Sequence, residues 1–178
     1  IAGIEFISDR DLDKLNLRLT LTADQICKSL LQNLLPENQS QDLNVLCLGK
    51  WGSREMGLHS DLDFILVTKK DPSESDLRLA RRFLNRLTES NKAGSLYPVD
   101  LRLRPSDRGG VLITSQDQLQ EYILHKAAPW ERQAYLRSRW LFANSTGFAM
   151  QPLLFQKNLS VEEIQELERI RKELLKNS

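Results

Sequence analysis

An aspartate pair that runs straight into an apolar strand limits this chain more than any other feature. Asp61-Leu62-Asp63 is followed without a break by Phe64-Ile65-Leu66-Val67. Side chains alternate between faces along a strand, so Asp61 and Asp63 share one face. The tail behind them is apolar on both faces, which places it in a covered sheet with the acids at its rim. A second short apolar run, Asn44-Val45-Leu46-Cys47-Leu48, reads as another buried strand, and a Gly-containing turn over 49–60 links the two. Helix, strand, strand, helix, strand, then helices is the resulting order. It predicts an α+β fold, a small mixed sheet flanked by helices, rather than regular βαβ winding.

The helices announce themselves through caps and periodicity. Thr22-Ala23-Asp24-Gln25 has capping-box spacing, and Ile26, Leu30, Leu31, Leu34 and Leu35 follow before Pro36. This predicts an N-terminal helix over 20–35. Asp71-Pro72-Ser73 opens a helix whose Ala80, Phe83, Leu84 and Leu87 share a face. Tyr97 to Leu103 alternates as a strand does, ended by Pro105 and a turn at Gly109-Gly110, and Val111 to Ile113 reads as a further short strand. Ser115 and Ser160 start two more capping boxes, the second followed by Val161, Ile164, Leu167, Ile170 and Leu174. The predicted organisation is one domain over 1–142, with its sheet core at 43–114 and helices at 115–142. A C-terminal helical extension over 143–178 reads as the start of a helical domain in a longer chain. The opening Ile1-Ala2-Gly3-Ile4 has neither a starting Met nor a signal-peptide pattern, which again predicts a piece of a longer chain.

Composition narrows the partners. The chain has 178 residues with 25 Lys+Arg against 24 Asp+Glu, a formal charge of +1. That near-balance excludes holding nucleic acid by bulk electrostatics. No apolar run reaches the length of a membrane span. The two cysteines, Cys27 and Cys47, are too few for a disulfide framework and read as buried small hydrophobes in a reducing cytoplasm.

Asp61 and Asp63 held on one face repel each other, and a divalent cation with hard oxygen ligands, such as Mg²⁺, removes that conflict. An Asp-x-Asp alone more often marks surface carboxylates at a strand start. Three further features favour a metal site. Gly52-Ser53 precedes the pair by a short turn, where close backbone approach and a hydroxyl suit phosphate. A third acid, Asp100, lies inside a later apolar strand, costly unless paired or ligating. Arg102 and Arg104 share its face, either as cations for phosphate or as bidentate partners that lock the acids, and a purely structural Asp–Arg network is the plainer alternative.

The apolar run follows the acids instead of preceding them, unlike the arrangement of haloacid-dehalogenase-type phosphatases and many glycosyltransferases. That order resembles the nucleotidyltransferase superfamily. Gly49-Lys50, Gly52, Arg54-Glu55, Ser60 to Asp63, Val99 to Pro105 and Trp130-Glu131-Arg132, with Arg137 and Arg139 beyond, narrow the likeness. These segments resemble glutamine-synthetase adenylyltransferase over roughly residues 43–141. Trp51 stands where that family commonly has Leu, which can reshape a nucleotide pocket, and Ser53 where it commonly has a second Gly.

The resemblance implies a DNA polymerase β-like nucleotidyltransferase fold and transfer of AMP from ATP to a tyrosine of glutamine synthetase. It implies two Mg²⁺ ions on Asp61 and Asp63, with Asp100 binding the ion beside the attacking oxygen. Ser53 and the Gly52 backbone would hold the β/γ-phosphates, and Lys50, Arg54, Arg102 and Arg104 would add positive charge. The stretch 57–63 with Arg104 to Ser106 and Gly110 to Ser115 looks more like the attaching module of the family than its adenylyl-removing twin, which forms ADP by phosphorolysis. A silent nucleotide- or regulator-binding module is the third reading, and three retained acids argue against it. A PII-type signal protein is the regulator the resemblance implies, reached through the longer chain. His59 reads as a solvated loop residue and His125 as structural. Trp130 to Arg139 reads as an ion-paired helix packed on the sheet rather than a nucleic-acid surface.

Overall fold

In the computed structural model the described residues are 9–35, 42–89, 96–100, 112–142, 160–165 and 168–169. The elements in chain order are α1 (Asp9–Leu34), β1 (Leu43–Cys47), α2 (Gly49–Ser53), β2 (Leu62–Thr68), α3 (Glu74–Thr88), β3 (Val99–Asp100), β4 (Ile113–Ser115), α4 (Gln116–His125), α5 (Pro129–Leu136) and β5 (Arg139–Trp140). The strands form one mixed sheet with β2 at its centre. β1 pairs antiparallel with β2, Leu43 opposite Thr68 and Cys47 opposite Phe64. The other edge of β2 is shared by two short parallel strands, β3 at its beginning and β4 at its end. β5 closes the far side of β1.

Alternation along β1 and β2 builds two cores, as a strand apolar on both faces requires. Leu62, Phe64 and Leu66 join Val45 and Cys47 against Cys27 and Leu31 of α1 and Ala80, Phe83 and Leu87 of α3. Ile65 and Val67 join Leu46 and Leu48 against Leu119 and Ile123 of α4 and Tyr135 of α5. Edge-to-face contacts run from Trp51 to Phe64 and from Phe64 to Phe83, each with ring centroids 5.9 Å apart. Full burial of such side chains stabilises the fold by roughly 1.5–3 kcal/mol each. No helix among the described residues is long and apolar enough to cross a membrane.

Several local expectations hold and others shift. Ser73 caps α3 in a reciprocal capping box with Asp76, and Ser115 caps α4. The Ser160–Glu163 box also forms, with both backbone N–H groups satisfied. α1, however, starts at Asp9 instead of near residue 20. Thr22 sits inside it and donates to the Arg18 carbonyl at 3.0 Å, a back-bond open to a hydroxyl in mid-helix. The turn after β1 begins as the five-residue α2. α5 ends at Leu136, so Arg139 belongs to β5 and not to the helix. The rest of the strand expected over 97–103, the Gly109-Gly110 turn, and most of the extension over 143–178 lie outside the described residues.

Candidate active site

The three acids meet at the rim of the sheet. Asp61 stands just before β2, Asp63 is its second residue, and Asp100 ends β3. The parallel register puts Leu62 opposite Val99 and Asp63 opposite Asp100, fixed by a Leu62 N–H bond to the Pro98 carbonyl at 2.9 Å. Residues opposite in register present side chains to the same face, so the sheet itself brings the distant acid to the pair. Carboxylate oxygens of Asp61, Asp63 and Asp100 lie within 4.8 Å of one another, all three side chains half-buried. Like charges at that spacing repel by roughly 1 kcal/mol per pair even at the dielectric of water, and more in a half-buried rim. An all-oxygen, anionic donor set of this kind fits Mg²⁺.

α2 lies against Asp63 of this cluster because its first residue lacks a side chain. Gly49 has φ +53°, and a Cβ there would stand 2.2 Å from Asp63 Oδ2. A Cβ on Gly52 would stand 2.6 Å from the Arg137 carbonyl oxygen and 2.7 Å from that of Cys47. Gly52 thus seats α2 on β1 and on the turn before β5. Its amide, expected from the sequence to face a phosphate, donates within the helix to Leu48 O at 2.7 Å. The Ser53 hydroxyl lies 3.1 Å from Gly49 O and 3.0 Å from Glu55 Oε2, and Arg137 pairs with the same carboxylate oxygen. Lys50 and Arg54 are exposed. Arg54 ends the helix in the left-handed region at φ 65°. Arg102 and Arg104 lie outside the described residues.

Trp51, which stands where the family commonly has Leu, points into the core. It is fully buried, and its Nε1–H donates to Asp24 Oδ1 at 2.7 Å. Arg139 donates to the same oxygen at 2.6 Å and to the Trp51 carbonyl at 3.2 Å. Sequence reasoning missed Asp24. The available signal was a carboxylate on the stripe Thr20, Ala23, Cys27, Leu31, which is the buried face of α1.

The remaining conspicuous residues lie apart from the acid cluster or at the surface. Both cysteines are free and buried. Burial, with a smaller contribution from Asp24, pushes the Cys27 thiol up to about 12, and burial raises that of Cys47 well above its ordinary value. Burial first, then Glu131 and Tyr122, raises the Tyr135 phenol. Glu131 is buried but satisfied, accepting from Tyr122 Oη and from the Ala128 N–H at 2.8 Å each. Buried Arg132 pairs with Glu163 at 3.4 Å, the ion-paired helix the sequence led us to expect. His59 is exposed beside the acids, and exposed His125 ends α4 3.9 Å from Glu121.

A central strand opened by two acids, a third acid in register beside them and a glycine-bearing helix behind define a nucleotidyltransferase. The family model of glutamate-ammonia ligase adenylyltransferase matches residues 15–151, and the chain belongs to that family. It is a family of enzymes that adenylylate glutamine synthetase, with ATP as the nucleotide donor.

Proposed function

We propose that this chain is the attaching module, transferring AMP from ATP to a tyrosine hydroxyl of glutamine synthetase, with cleavage of the α–β phosphoanhydride bond and release of pyrophosphate. The observation that carries this reading is the convergence of Asp61, Asp63 and Asp100 within 4.8 Å beside α2. Asp61 and Asp63 would hold two Mg²⁺ ions and Asp100 only the one nearer the acceptor. When bound, the two ions neutralise phosphate charge and favour the ionised acceptor oxygen. Asp100 also accepts the tyrosine proton at its carboxylate. Ser53 contacts the β/γ-phosphates, Gly49 lets α2 lie close to Asp63 and Gly52 seats it on β1, and Lys50 and Arg54 supply exposed positive charge. Arg102 and Arg104, named by the family resemblance, would add guanidinium charge for the phosphates. Nucleotidyl transfer asks for this positioning and charge neutralisation more than for covalent help.

The assignment to attachment over removal rests on the likeness of 57–63, 104–106 and 110–115 to the attaching module. In this reading residues 1–142 would be the catalytic domain, and a PII-type signal protein would be the regulator, in the cytoplasm. Two free, buried cysteines suit that compartment. Incubation with glutamine synthetase, ATP and Mg²⁺ yields adenylylated product. Incubation with adenylylated glutamine synthetase and phosphate yields no ADP. ADP in the second reaction, with none of the first product, assigns the chain to the removing module instead.

A further inference from the structure

α2 is a five-residue helix, too short to hold its own position, since helices of that length are unstable without tertiary support. Its support is polar as well as apolar. Asp24 of α1 accepts from Trp51 Nε1 at 2.7 Å and from Arg139 of β5 at 2.6 Å. Arg139 reaches on to the Trp51 carbonyl at 3.2 Å. The Asp24 side chain is 11% exposed and that of Arg139 17%. Asp24 therefore holds the Trp51 side chain and Arg139 its carbonyl, and their own ion pair joins the two, tying the middle of α2 to α1 and β5. Low exposure makes each bond directional and costly to lose, because a partner left alone is an unpaired buried group.

We infer that Asp24, Trp51 and Arg139 are positioning residues for the nucleotide: the clamp fixes α2 against the acid cluster and so sets ATP affinity. The inference rests on the reading that α2 carries phosphate contacts. Trp51 also packs edge-to-face on Phe64 of β2, but the placement of Asp63 opposite Asp100 is set by the pairing of β2 with β3. Loss of the clamp therefore moves Ser53 and its neighbours relative to a metal site that stays assembled. The consequence falls on nucleotide binding more than on the chemical step, and a displacement of about 1 Å is enough to matter.

The test compares Asp24→Asn, Trp51→Phe, Ser53→Ala and Leu79→Ala in the complete chain. Trp51→Phe keeps the aromatic bulk and removes only the donor, so it preserves the core if Asp24→Asn folds poorly. Leu79→Ala opens a cavity in the α1/α3 core, with Leu79 at 8% exposure, and reports what lost stability alone does. Calorimetric titration with MgATP and steady-state kinetics are read for all four. The clamp predicts a rise of about tenfold in the ATP dissociation constant and KM for Asp24→Asn and a smaller rise for Trp51→Phe, with kcat at saturating ATP within about threefold. Leu79→Ala leaves ATP affinity unchanged. Unaltered ATP affinity in both clamp variants overturns the inference, as does an equal loss in Leu79→Ala. If Ser53→Ala binds ATP normally, the underlying reading of α2 fails. If it weakens binding while the clamp variants do not, the inference alone fails.

Discussion

A methyl group on Gly52 would lie 2.6 Å from one backbone carbonyl oxygen and 2.7 Å from another, while one on Gly57 would meet, among the described residues, only Ser60 Oγ at 3.8 Å. Backbone cannot swing aside as a side chain can, so Gly52→Ala must shift α2 away from β1. It should cost about 1–3 kcal/mol and most of the transfer activity, whereas Gly57→Ala costs under ~1 kcal/mol. Urea unfolding of the two variants checks the contrast, and equal losses would refute it. The cysteines make a second prediction at this scale. In the unfolded chain a thiol ionises near its ordinary value of 9.0, whereas Cys27 in the fold is held protonated up to about 12. Its favourable contribution is thus complete below pH 9 and is lost as pH rises from 9 toward 12. Between pH 8 and 10 in reductant, stability should fall by about 1 kcal/mol on account of Cys27, a loss that Cys27→Ala removes. A pH profile identical in the variant would contradict the burial argument.

Among the elements, α3 offers the cleanest test of local coding. Ser73 accepts from the Asp76 N–H at 3.2 Å, and Asp76 accepts from the Ser73 N–H at 2.9 Å. Ser73→Ala should cost about 1 kcal/mol by thermal or urea unfolding and leave the KM for ATP unchanged. The Ser73 cap, the apolar face behind it and the two central strands were all readable from the chain, because each depends on neighbours in sequence. α1 was readable only in its second half. Thr22 and Gln25 have the spacing of a cap, yet nothing in that spacing shows whether the helix has already begun. The continuation of a helix upstream is decided by residues 9–21 and not by the box itself. The same limit hid the end of α5. Periodicity carried Arg139 onto the helix, whereas its pairing with Cys47 on β1 is a long-range contact that no local pattern encodes.

At the scale of the molecule, two central strands, two helical layers and one acidic rim explain one another. Apolar residues on both faces of β2 demand cover from α1 and α3 on one side and α4 and α5 on the other, which leaves only the rim for polar chemistry. Asp61 and Asp63 could be read as a pair from period 2. Asp100 could be read as anomalous in its strand, but its register opposite Asp63 is a property of the assembled sheet. The Asp24–Trp51–Arg139 clamp was invisible for the same reason, since its members are far apart in the chain and meet only in the fold. The acid cluster also predicts that a divalent cation stabilises the protein. Mg²⁺ at ten times its dissociation constant should add about 1.4 kcal/mol to stability in the wild type, and markedly less in Asp63→Asn. Removal of the ion by EDTA should abolish transfer without unfolding, monitored by circular dichroism.

The most direct test of the acid cluster is AMP transfer from ATP to glutamine synthetase in Mg²⁺ by Asp63→Asn, alongside its far-UV circular dichroism. The variant should keep the wild-type spectrum and lose activity on the order of 10³-fold. Undiminished transfer by a folded Asp63→Asn protein would contradict a metal-dependent nucleotidyl transfer at this site.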